Sequence, residues 1–596
     1  MVANRGEIAI RIFRTCERLG IETVAVVAPD DRGSLHARSA GRTVEIGSYL
    51  AASEYVRAAT EVEADAIHPG YGFLAENAAF ADAVLESGTI WVGPPPEALR
   101  LGGDKLAAKR IAREAGVPTL PQGTPEEIGF PLVVKAAAGG GGRGMRIVRG
   151  PAELDDALAA ARREAEAAFG DGTVFCERYL ERPRHVEAQI IGDENGVILL
   201  GQRDCSIQRR HQKVIEESPA PRLHPLAWPA VAAGAVAFAE AIGYRSAGTA
   251  EFLVDGPNVY FLELNGRIQV EHPVTEQVTG LDIVELQLRV AAGEELDLEI
   301  SPQGHAIEAR LYAEDPAHDF LPSVGRLEHF DLGVEAGEEG RIETGVEEGD
   351  AISPFYDPMI AKLIAHGDDR NEAITSLAAI IDELEIWPVR TNAGFLFNAL
   401  LHPAFGAAEI DTGFIARELD ALVPDPEPDE AIWRGAAAVA LAEEDDGDGL
   451  GTLAGFRLNA PANRAVSLGR GGTFRTVSLA DEGETAPVSG FRDDERVVVF
   501  LEGHAYAFDR AARGSVGAGA GSGAILSPMP GKVTAVDVAI GETVTKGQRL
   551  LTLEAMKMEH GLVAPFNGTV AELYAVAGAQ VAEGVVLVKL EPDAAQ

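Results

Sequence analysis

Lysine is scarce in this chain of 596 residues, and arginine supplies most of the positive charge. Only nine of the 51 basic residues are lysine, although lysine is normally among the commonest amino acids. A genome bias or a preference for acidic surfaces could cause this depletion. A guanidinium cannot replace a nucleophilic amine, so each retained lysine is a candidate for a role that needs its own chemistry. The nine are Lys105, Lys109, Lys135, Lys213, Lys362, Lys532, Lys546, Lys557 and Lys589.

Cysteine is also scarce, and net positive charge and long apolar runs are absent. Cys16, Cys176 and Cys205 are too few and too scattered for a disulfide framework or a zinc site, and they indicate a reducing compartment. A formal net charge of −42 argues against nucleic acid and anionic membranes as partners. The sequence has no secretory signal pattern and no apolar run that could span a bilayer. We therefore expect a cytoplasmic protein without nucleic-acid or membrane partners.

A chain of this length predicts several domains. The first part alternates short apolar runs with helical stretches, which is typical of βαβ units with a parallel sheet. "TVAVVAP" (23–29) and "TIWVGPP" (89–95) are predicted strands, and 7–20 is a predicted amphipathic helix. A mixed α/β pattern follows, then further strands and a helix near 371–386. The predicted divisions are 1–102, 103–300, 301–422, 423–513, 514–523 and 524–592.

Two linkers separate the last parts of the chain. "VPDPEPDE" (423–430) combines three prolines with four acids. "GSVGAGAGSG" (514–523) is typical of a flexible coil, with an end-to-end distance of about 15–20 Å. The short segment between them, 431–512, is predicted to be a small β-rich barrel or sandwich without a catalytic constellation.

The last 70 or so residues contain an internal repeat. Residues 531–554 match residues 568–591 at a constant offset of 37, with glycines and valines in equivalent places. Each half has short strands separated by glycine turns, which predicts a small β fold with approximate two-fold symmetry. "EAMKME" lies where the first half ends, so we expect Lys557 at the tip of an exposed hairpin. An ordinary surface lysine is the simple alternative, but Met556 and Met558 on an exposed turn favour an attachment site.

A glycine-rich loop follows a predicted strand in "VVKAAAGGGGRGM" (133–145). Glycines allow backbone N–H groups to surround phosphate oxygens, and Lys135 at the strand end could neutralise those oxygens. Alone the signal is weak, because a glycine run is often only a flexible loop, and neither the P-loop nor the Rossmann spacing is present.

Two acids further along the chain could hold a metal ion. Glu251 and Glu263 lie on two apolar stretches joined by a turn at Asp255-Gly256. An antiparallel pair would bring both carboxylates to one end of a hairpin, where they would suit the Mg²⁺ of a bound nucleotide. Two unrelated strand-end acids are the alternative, but the glycine loop and Lys135 favour a nucleotide site.

The chain resembles a known family in both halves. "EAMKME" closely resembles the biotinylation sequence of biotin carboxyl carrier domains, whereas lipoyl carriers usually have Asp-Lys-Ala. The glycine loop and the paired acids resemble the ATP-grasp fold. Several stretches of about residues 2–420 resemble biotin carboxylase. They are "ANRGEIAIRI" (3–12), "AIHPGYGFLAEN" (66–77), "GDK" (103–105), "RDCSIQRRHQKVIEE" (203–217), "RIQVEHPVTE" (267–276), "AEDP" (313–316), "FLPS" (320–323) and "YDPMIAKLI" (356–364).

The whole chain therefore resembles the α subunit of an acyl-CoA carboxylase of the acetyl- or propionyl-CoA type. This resemblance implies a multidomain α/β and α+β fold. Its parts would be an N-terminal pre-ATP-grasp βαβ domain, an ATP-grasp domain, a C-terminal biotin carboxylase domain, a small β-rich middle domain and a β-barrel-like biotinyl/lipoyl domain. It also implies biotin on Lys557, with ATP, bicarbonate and Mg²⁺ (or Mn²⁺) used to carboxylate it.

The resemblance also assigns roles to individual residues. Catalysis would fall to Glu271 as the base, with Arg267, Lys213 and Arg341, the last on the biotin side. The metal ligands would be Glu251, Glu263 and Asn265. The residues that bind the nucleotide or biotin would be Lys105, Lys135, Gly139, Gly140, Gly141, Gly142, Glu177, His185, His211, Gln269, Val270 and the attachment residue Lys557.

The run "RIQVE" carries the chemistry in this interpretation. On an extended strand Arg267, Gln269 and Glu271 point to one face. Arg267 and Lys213 could hold bicarbonate while Glu271 removes its proton. Arg267 could also stabilise negative charge on the biotin ureido oxygen. An amphipathic edge strand without function is the alternative, and the adjacent "EHPVTE" argues against it.

The expected partners are a separate carboxyltransferase (β) subunit, which makes the protein a hetero-oligomer, and a biotin protein ligase. The region 431–512 is too small for a carboxyltransferase and could dock that subunit. Two alternatives stay open. The chain could serve another biotin enzyme, of the methylcrotonyl-CoA, pyruvate or urea carboxylase type, or it could be a non-catalytic biotinyl carrier.

Overall fold

The computed structural model describes most of the chain. No helix in the described ranges is long and apolar enough to cross a membrane. These ranges are 1–136, 145–169, 172–210, 212–333, 340–442, 465–479, 484–510, 524–527, 531–555, 558–582 and 585–592.

The first part of the chain has the predicted parallel arrangement. β1 pairs with β2 and β3 with β4, both in parallel, and Val2 joins the two pairs through parallel bridges to Ala25 and His68. The amphipathic helix α1 buries Ile8, Ile12 and Phe13. The elements are α1 (Gly6–Arg18), β1 (Val24–Val27), a 3₁₀ turn (Pro29–Asp31), α2 (Leu35–Ser39), β2 (Arg42–Glu45), α3 (Ala52–Glu61), β3 (Ala66–Ile67), α4 (Ala78–Glu86), β4 (Ile90–Trp91) and α5 (Pro96–Gly103).

A buried histidine in this first part makes stability depend on pH. The ring of His36 is fully buried and lies 2.8 Å from the Ser34 hydroxyl and 3.2 Å from the Val26 carbonyl oxygen. Burial lowers the pKa of His36 to about 4, although Asp31 opposes the shift. Unfolded histidine has a pKa of about 6.5. The contribution is therefore complete above pH ~6.5 and is lost as the pH falls towards the folded value.

Replacing His36 with glutamine should remove this pH dependence. Between pH 7 and 4.5 we expect the wild type to lose about 2–3 kcal/mol more of its free energy of unfolding than the variant. Urea unfolding midpoints at the two pH values measure the difference. His318→Gln, at a side chain that is 62% exposed, is the control and should follow the wild type. Equal acid losses in wild type and His36→Gln would contradict the prediction.

The next part contains a small sheet and a large one. The small sheet has the order β6-β5-β7 and is covered by α8. β11 and β12 form the predicted antiparallel hairpin. The elements are α6 (Lys105–Glu114), α7 (Pro125–Ile128), β5 (Leu132–Ala136), β6 (Arg146–Val148), a 3₁₀ turn (Pro151–Glu153), α8 (Leu154–Phe169), β7 (Val174–Arg178), β8 (Arg184–Gly192), β9 (Val197–Arg209), β10 (Gln212–Ser218), α9 (Ala227–Ala241), β11 (Ser246–Asp255), β12 (Asn258–Asn265), α10 (His272–Thr279) and α11 (Ile283–Ala291).

The large sheet has eight strands, in the order β12-β11-β8-β9-β10-β13-β20-β18. Its last three strands come from residues beyond 300, so one continuous sheet joins the regions 103–300 and 301–422. These later elements are β13 (His305–Tyr312), β14 (Glu314–Asp315), a 3₁₀ turn (Pro316–His318), β15 (Leu321–Pro322), β16 (Gly325–Arg326), β17 (His329–Asp331), β18 (Arg341–Thr344), β19 (Ala351–Ile352), β20 (Met359–Gly367), α12 (Arg370–Asp382), β21 (Glu385–Trp387), α13 (Ala393–Leu401), α14 (Pro403–Gly406) and α15 (Phe414–Leu422).

The middle segment contains a helix that the sequence analysis missed. The region 431–512 was expected to be β-rich throughout, but α16 begins at Glu430. Asp429 caps α16 by accepting a hydrogen bond from the Ile432 N–H, and its alanine-rich face packs on a five-stranded sheet in the order β23-β22-β26-β25-β24. The elements are α16 (Glu430–Leu441), β22 (Ala465–Arg470), β23 (Thr473–Ser478), β24 (Ser489–Arg492), β25 (Arg496–Leu501) and β26 (His504–Arg510).

The C-terminal repeat folds as two four-stranded sheets, in the orders β27-β34-β32-β29 and β31-β30-β28-β33. β28, β29 and β30 recur 37 residues later as β32, β33 and β34, so the predicted two-fold relation is present. Ala555 at the end of β30 pairs with Met558 at the start of β31. The strands are β27 (Ala524–Leu526), β28 (Gly531–Val536), β29 (Thr543–Val544), β30 (Arg549–Ala555), β31 (Met558–Val563), β32 (Gly568–Leu573), β33 (Gln580–Val581) and β34 (Val586–Pro592).

Candidate active site

A lysine bonded to three carboxylates forms the centre of the candidate site. The Lys213 ammonium, on β10, donates to Glu187 at 2.6 Å, to Glu251 at 2.8 Å and to Glu271 at 2.5 Å. β8, β10 and β11 each supply one of these groups from the large sheet, and Glu271 directly precedes α10. Burial opposes the charge of Lys213, but the carboxylates raise its pKa well above the usual range. The lysine is therefore held as a cation.

Glu271 is clamped on both of its oxygens. Lys213 binds Oε1, and the guanidinium of Arg310 on β13 binds Oε2 at 2.8 Å. Burial would raise the pKa of Glu271, but Lys213 and Arg310 hold it well below the usual range. Arg310 also pairs with Glu216 at 2.6 Å. The sequence analysis did not identify Arg310, because a buried arginine on a core strand has no local signal.

The run "RIQVE" is not the extended strand that we predicted. β12 ends at Asn265, and the chain turns so that Glu271 occupies the N-cap of α10, where Pro273 favours the start of a helix. The predicted side chains nevertheless converge. Arg267 donates to Gln269 at 2.7 Å and to the Asn265 amide oxygen at 3.1 Å, and Gln269 donates to Glu251 at 3.0 Å.

Two further charged side chains border this turn. Arg267 lies 3.4 Å from Glu76, which also accepts the Gly266 N–H at 3.0 Å. The carbonyl oxygen of Val270, the residue before Glu271, accepts a bond of 3.0 Å from Lys362. Lys362 is therefore another of the scarce lysines at the site.

The proposed metal ligands lie together at the end of the β11–β12 hairpin. Glu251 and Glu263 are directly opposite each other in the register, as predicted, and the amide N–H of Asn265 donates to Glu251 at 2.7 Å. Burial, followed by the charge of Glu251, raises the pKa of Glu263. A divalent cation would relieve that repulsion, and two carboxylates with an amide oxygen are ligands that Mg²⁺ accepts. This donor set fits the implied ion.

Lysines cluster beside the small sheet. Lys135 at the end of β5 donates to Glu177 on β7 at 2.6 Å, and Lys109 of α6 donates to the other oxygen of Glu177. Burial lowers the pKa of Lys109 to about 8 and also lowers the pKa of Lys105. Lys109 and Lys135 share one carboxylate, and Lys105 lies one turn before Lys109 on α6, so the three lysines form a cationic patch that suits phosphates. Lys109 was missed, although the scarcity of lysine could have identified it.

The remaining predicted residues fall into three groups: one in the site, one away from the Lys213 cluster, and six outside the described ranges. His185 belongs to the site, since its ring nitrogens lie 2.8 Å from Glu251 and 2.6 Å from Gln208. Arg341 does not contact the Lys213 cluster and pairs instead with Glu276 at 2.7 Å and Glu343 at 2.5 Å. The residues that lie outside the described ranges are Gly139, Gly140, Gly141, Gly142, His211 and Lys557.

A fully buried arginine supports the Lys213 cluster. Arg203 donates to Glu187 at 2.5 Å, to Gln189 at 2.7 Å and to Thr275 at 2.8 Å. Replacing Arg203 with methionine would leave part of the Glu187 charge uncompensated. We expect the free energy of unfolding to fall by about 3–5 kcal/mol.

The midpoint of the urea transition of the intact chain, followed by tryptophan fluorescence, measures this loss. Arg110→Met is the matched control, because the Arg110–Glu114 pair is about 60% exposed on both side chains, and the change should cost about 0.5 kcal/mol or less. If both variants behave alike, Arg203 does not hold the cluster together.

The sequence matches four known families along its length. They are the biotin carboxylase N-terminal domain over residues 1–99, the carbamoyl-phosphate synthase L chain ATP-binding domain over 104–299, the biotin carboxylase C-terminal domain over 308–417, and the biotin-requiring enzyme family over 523–590. The fold and the site thus define an ATP-grasp biotin carboxylase joined to a biotinyl carrier domain.

Full-length relatives narrow this class. The alpha subunit of mitochondrial methylcrotonoyl-CoA carboxylase from Dictyostelium discoideum is 40% identical over 96% of this chain and 93% of its own. The propionyl-CoA carboxylase alpha chain of Ruegeria pomeroyi is 38% identical over 99% of both chains. The chain belongs to the α subunits of biotin-dependent acyl-CoA carboxylases. The first of these relatives is a methylcrotonoyl-CoA carboxylase subunit, the type of enzyme that the sequence analysis named as an alternative.

A solved structure extends the comparison. The biotin carboxylase domain of the 2-oxoglutarate carboxylase from Hydrogenobacter thermophilus, in complex with MgADP, ADP and bicarbonate, has a TM-score of 0.69 and 42% identity. The match covers 71% of this chain and 98% of that domain. ATP and biotin are therefore the cofactors of the family to which the chain belongs.

Proposed function

We propose that this α subunit uses ATP and bicarbonate to carboxylate biotin held on Lys557, and that a separate carboxyltransferase subunit then transfers the carboxyl group to an acyl-CoA. The observation that carries the proposal is the clamp of Lys213 and Arg310 on the buried carboxylate of Glu271. A non-catalytic carrier would not need to keep this charged cluster in the core of an eight-stranded sheet.

Glu271 is the base in this proposal. The two cations that bind it, Lys213 and Arg310, control its proton affinity. A carboxylate that is held by two cations is a weak base, because both cations favour its ionised form. Bicarbonate, held by Arg267, competes with Glu271 for Lys213, since its oxygens accept the same hydrogen bonds. Each bond that moves from Glu271 to bicarbonate raises the proton affinity of Glu271. The base therefore becomes strong enough only when its substrate is present.

The lysine patch binds the phosphates of ATP. Lys105, Lys109 and Lys135 supply positive charge, and the glycines at 139–142 would add backbone N–H donors. Glu251, Glu263 and Asn265 would hold Mg²⁺, which neutralises phosphate charge when bound. His185, hydrogen-bonded to Glu251, would fix the orientation of that ligand. The positions of the lysines and of the three metal-ligand candidates support these assignments, whereas the role of the glycines rests on the family alone.

Fewer contacts support the roles that we assign to residues on the biotin side of the site. Biotin supplies the ureido nitrogen that receives the carboxyl group. Arg267 would stabilise negative charge on the ureido oxygen. Arg341 can bind biotin only if its guanidinium first releases Glu276 or Glu343. We therefore assign Arg341 to the biotin side as a residue that changes partners.

The partners follow from the class. We expect a carboxyltransferase β subunit in a hetero-oligomer, with the middle segment 431–512 as its docking region, and a biotin protein ligase that modifies Lys557. All three cysteines are free and buried, which fits the cytoplasm as the compartment.

The acyl-CoA has two candidates. Acetyl- or propionyl-CoA was our expectation from the sequence, and the propionyl-CoA carboxylase relative supports it. Methylcrotonoyl-CoA carboxylase α subunits from several organisms, with 38–40% identity, favour 3-methylcrotonyl-CoA instead. The β subunit would make the choice, because it binds the acyl-CoA.

The complex purified from its native host tests this function. We expect it to contain a carboxyltransferase subunit and to incorporate labelled bicarbonate into one of acetyl-, propionyl- or 3-methylcrotonyl-CoA in an ATP-dependent and avidin-sensitive manner. Absence of a stable carboxyltransferase partner would contradict the acyl-CoA carboxylase assignment. Absence of bicarbonate-dependent ADP release with free biotin, from a folded sample, would support the carrier alternative.

A further inference from the structure

The run "FLPS" (320–323), one of the stretches that resemble biotin carboxylase, has no role in the chemistry proposed above, but the structure gives it an unexpected neighbour. Leu321, on β15, is half-buried and packs against the hydrophobic core of the C-terminal carrier domain. That core is formed by side chains such as Val533, Leu551 and Leu587. A residue of the carboxylase half therefore contacts the domain that bears Lys557.

Several contacts hold the loop that presents Leu321. β14 and β15 pair with Asp315 opposite Leu321, and the Phe320 N–H donates to the Asp315 carbonyl oxygen at 2.8 Å. Phe320 is buried and lies edge-on to Phe395 with the ring centroids 5.1 Å apart. The position of Leu321 is thus fixed by the core beneath it.

This loop is also joined to the catalytic hairpin. Arg209, near the end of β9, pairs with Glu314 at 2.6 Å and lies over the Phe320 ring at 4.1 Å from its centroid. Arg210 pairs with Asp319 at 2.8 Å. Lys213 follows a few residues later on β10. A domain that rests on Leu321 is therefore held beside the strand that carries the central lysine of the site.

The carrier is tethered at a defined place. Thirteen residues connect Arg510, at the end of β26, to Ala524, at the start of β27. The middle segment is anchored to the carboxylase half, since the Glu502 N–H donates to Asp382 at 2.7 Å and His329 stacks on Phe500 with the centroids 5.6 Å apart. A short tether keeps the local concentration of the carrier high, so a small apolar contact is enough to hold it and weak enough to release it.

We propose that Leu321 is the docking contact that receives the carrier domain of the same chain when its biotin enters the carboxylase site. The proposal deepens the proposed function and rests on it. A contact of this kind affects only biotin attached to the carrier. Free biotin, which diffuses into the site without the domain, does not need Leu321.

Leu321→Ser in the full-length chain separates these two routes. The first assay measures transfer of labelled bicarbonate to protein-bound biotin in a single turnover of the biotinylated chain. The second measures ADP release with free biotin, using the same chain made without biotin ligase. We expect the first rate to fall about 5–10-fold, which is the effect of losing one apolar contact of this size, and the second to stay within about twofold. Leu401→Ser, at an exposed leucine of α13 in the same half, should change neither rate.

Each other outcome is also decisive. An unchanged rate with protein-bound biotin overturns the docking role of Leu321. Equal losses in both assays overturn it too, because they show a general defect of the carboxylase half. If the wild type itself releases no ADP with free biotin and labels no protein-bound biotin, the proposed function fails rather than the docking contact.

Discussion

Replacing Glu271 with glutamine is expected to lower the rate of bicarbonate-dependent ADP release by about 10²–10⁴-fold, the usual contribution of a general base. Glutamine keeps the shape of the side chain but cannot accept the bicarbonate proton. It also leaves Lys213 and Arg310 with less negative charge to bind, so some loss of stability should accompany the loss of rate. Steady-state ADP release with free biotin, at saturating ATP, measures the effect on kcat.

Glu308→Gln is the matched control for Glu271→Gln. Glu308 is fully buried on β13, two residues before Arg310, and neither of its carboxyl oxygens has a hydrogen-bond partner among the described residues. Burial raises the pKa of Glu308 well above its usual range, which favours the neutral form that glutamine resembles. We expect its activity to stay within about twofold of the wild type. Equal activity of Glu271→Gln and Glu308→Gln would remove Glu271 from the mechanism.

Replacing Lys557 with arginine is expected to abolish biotinylation and, with it, all carboxylation of acyl-CoA by the complex. Arginine keeps the positive charge, but a guanidinium is not the amine that forms the amide bond to biotin. Intact-mass analysis of the chain, produced together with its biotin ligase, measures the added biotin. Labelled bicarbonate measures the transfer to acyl-CoA.

Lys546→Arg provides the comparison within the same domain. Lys546 is exposed near the start of β30, and its replacement should leave both biotinylation and transfer unchanged. ADP release with free biotin serves as the check that Lys557→Arg is folded. A Lys557→Arg chain that still gains the mass of biotin would place the attachment elsewhere and contradict the carrier assignment.

The carrier domain was the part of the fold that the sequence predicted best. Its repeat has an offset of 37 residues. Strands β28, β29 and β30 are each repeated at that offset, as β32, β33 and β34. Such agreement arises because each half needs the same glycine turns and the same alternation of buried residues. Glu251 and Glu263 were also predicted to be neighbours, because a short turn between two apolar strands fixes their register.

Other features depend on tertiary contacts and could not be predicted locally. The run "RIQVE" alternates polar and apolar residues, which is the pattern that predicts a strand. The chain turns there instead, because helix α10 begins directly after Glu271. Arg310 reaches Glu271 from a strand some 40 residues later, which no local pattern reveals. Helix α16 was missed because its neighbours in sequence are β-rich and because the acidic, proline-rich stretch before it obscured the Asp429 cap.

The placement of lysine has a practical consequence for labelling chemistry. All five lysines before residue 423 are buried or half-buried (Lys105, Lys109, Lys135, Lys213 and Lys362). Exposed amines in the described ranges belong to the carrier domain, at Lys532 and Lys546. Reagents that acylate surface amines will therefore modify the carrier domain and spare the lysines of the ATP-binding half. Amine coupling to a sensor chip will accordingly immobilise the chain by its carrier.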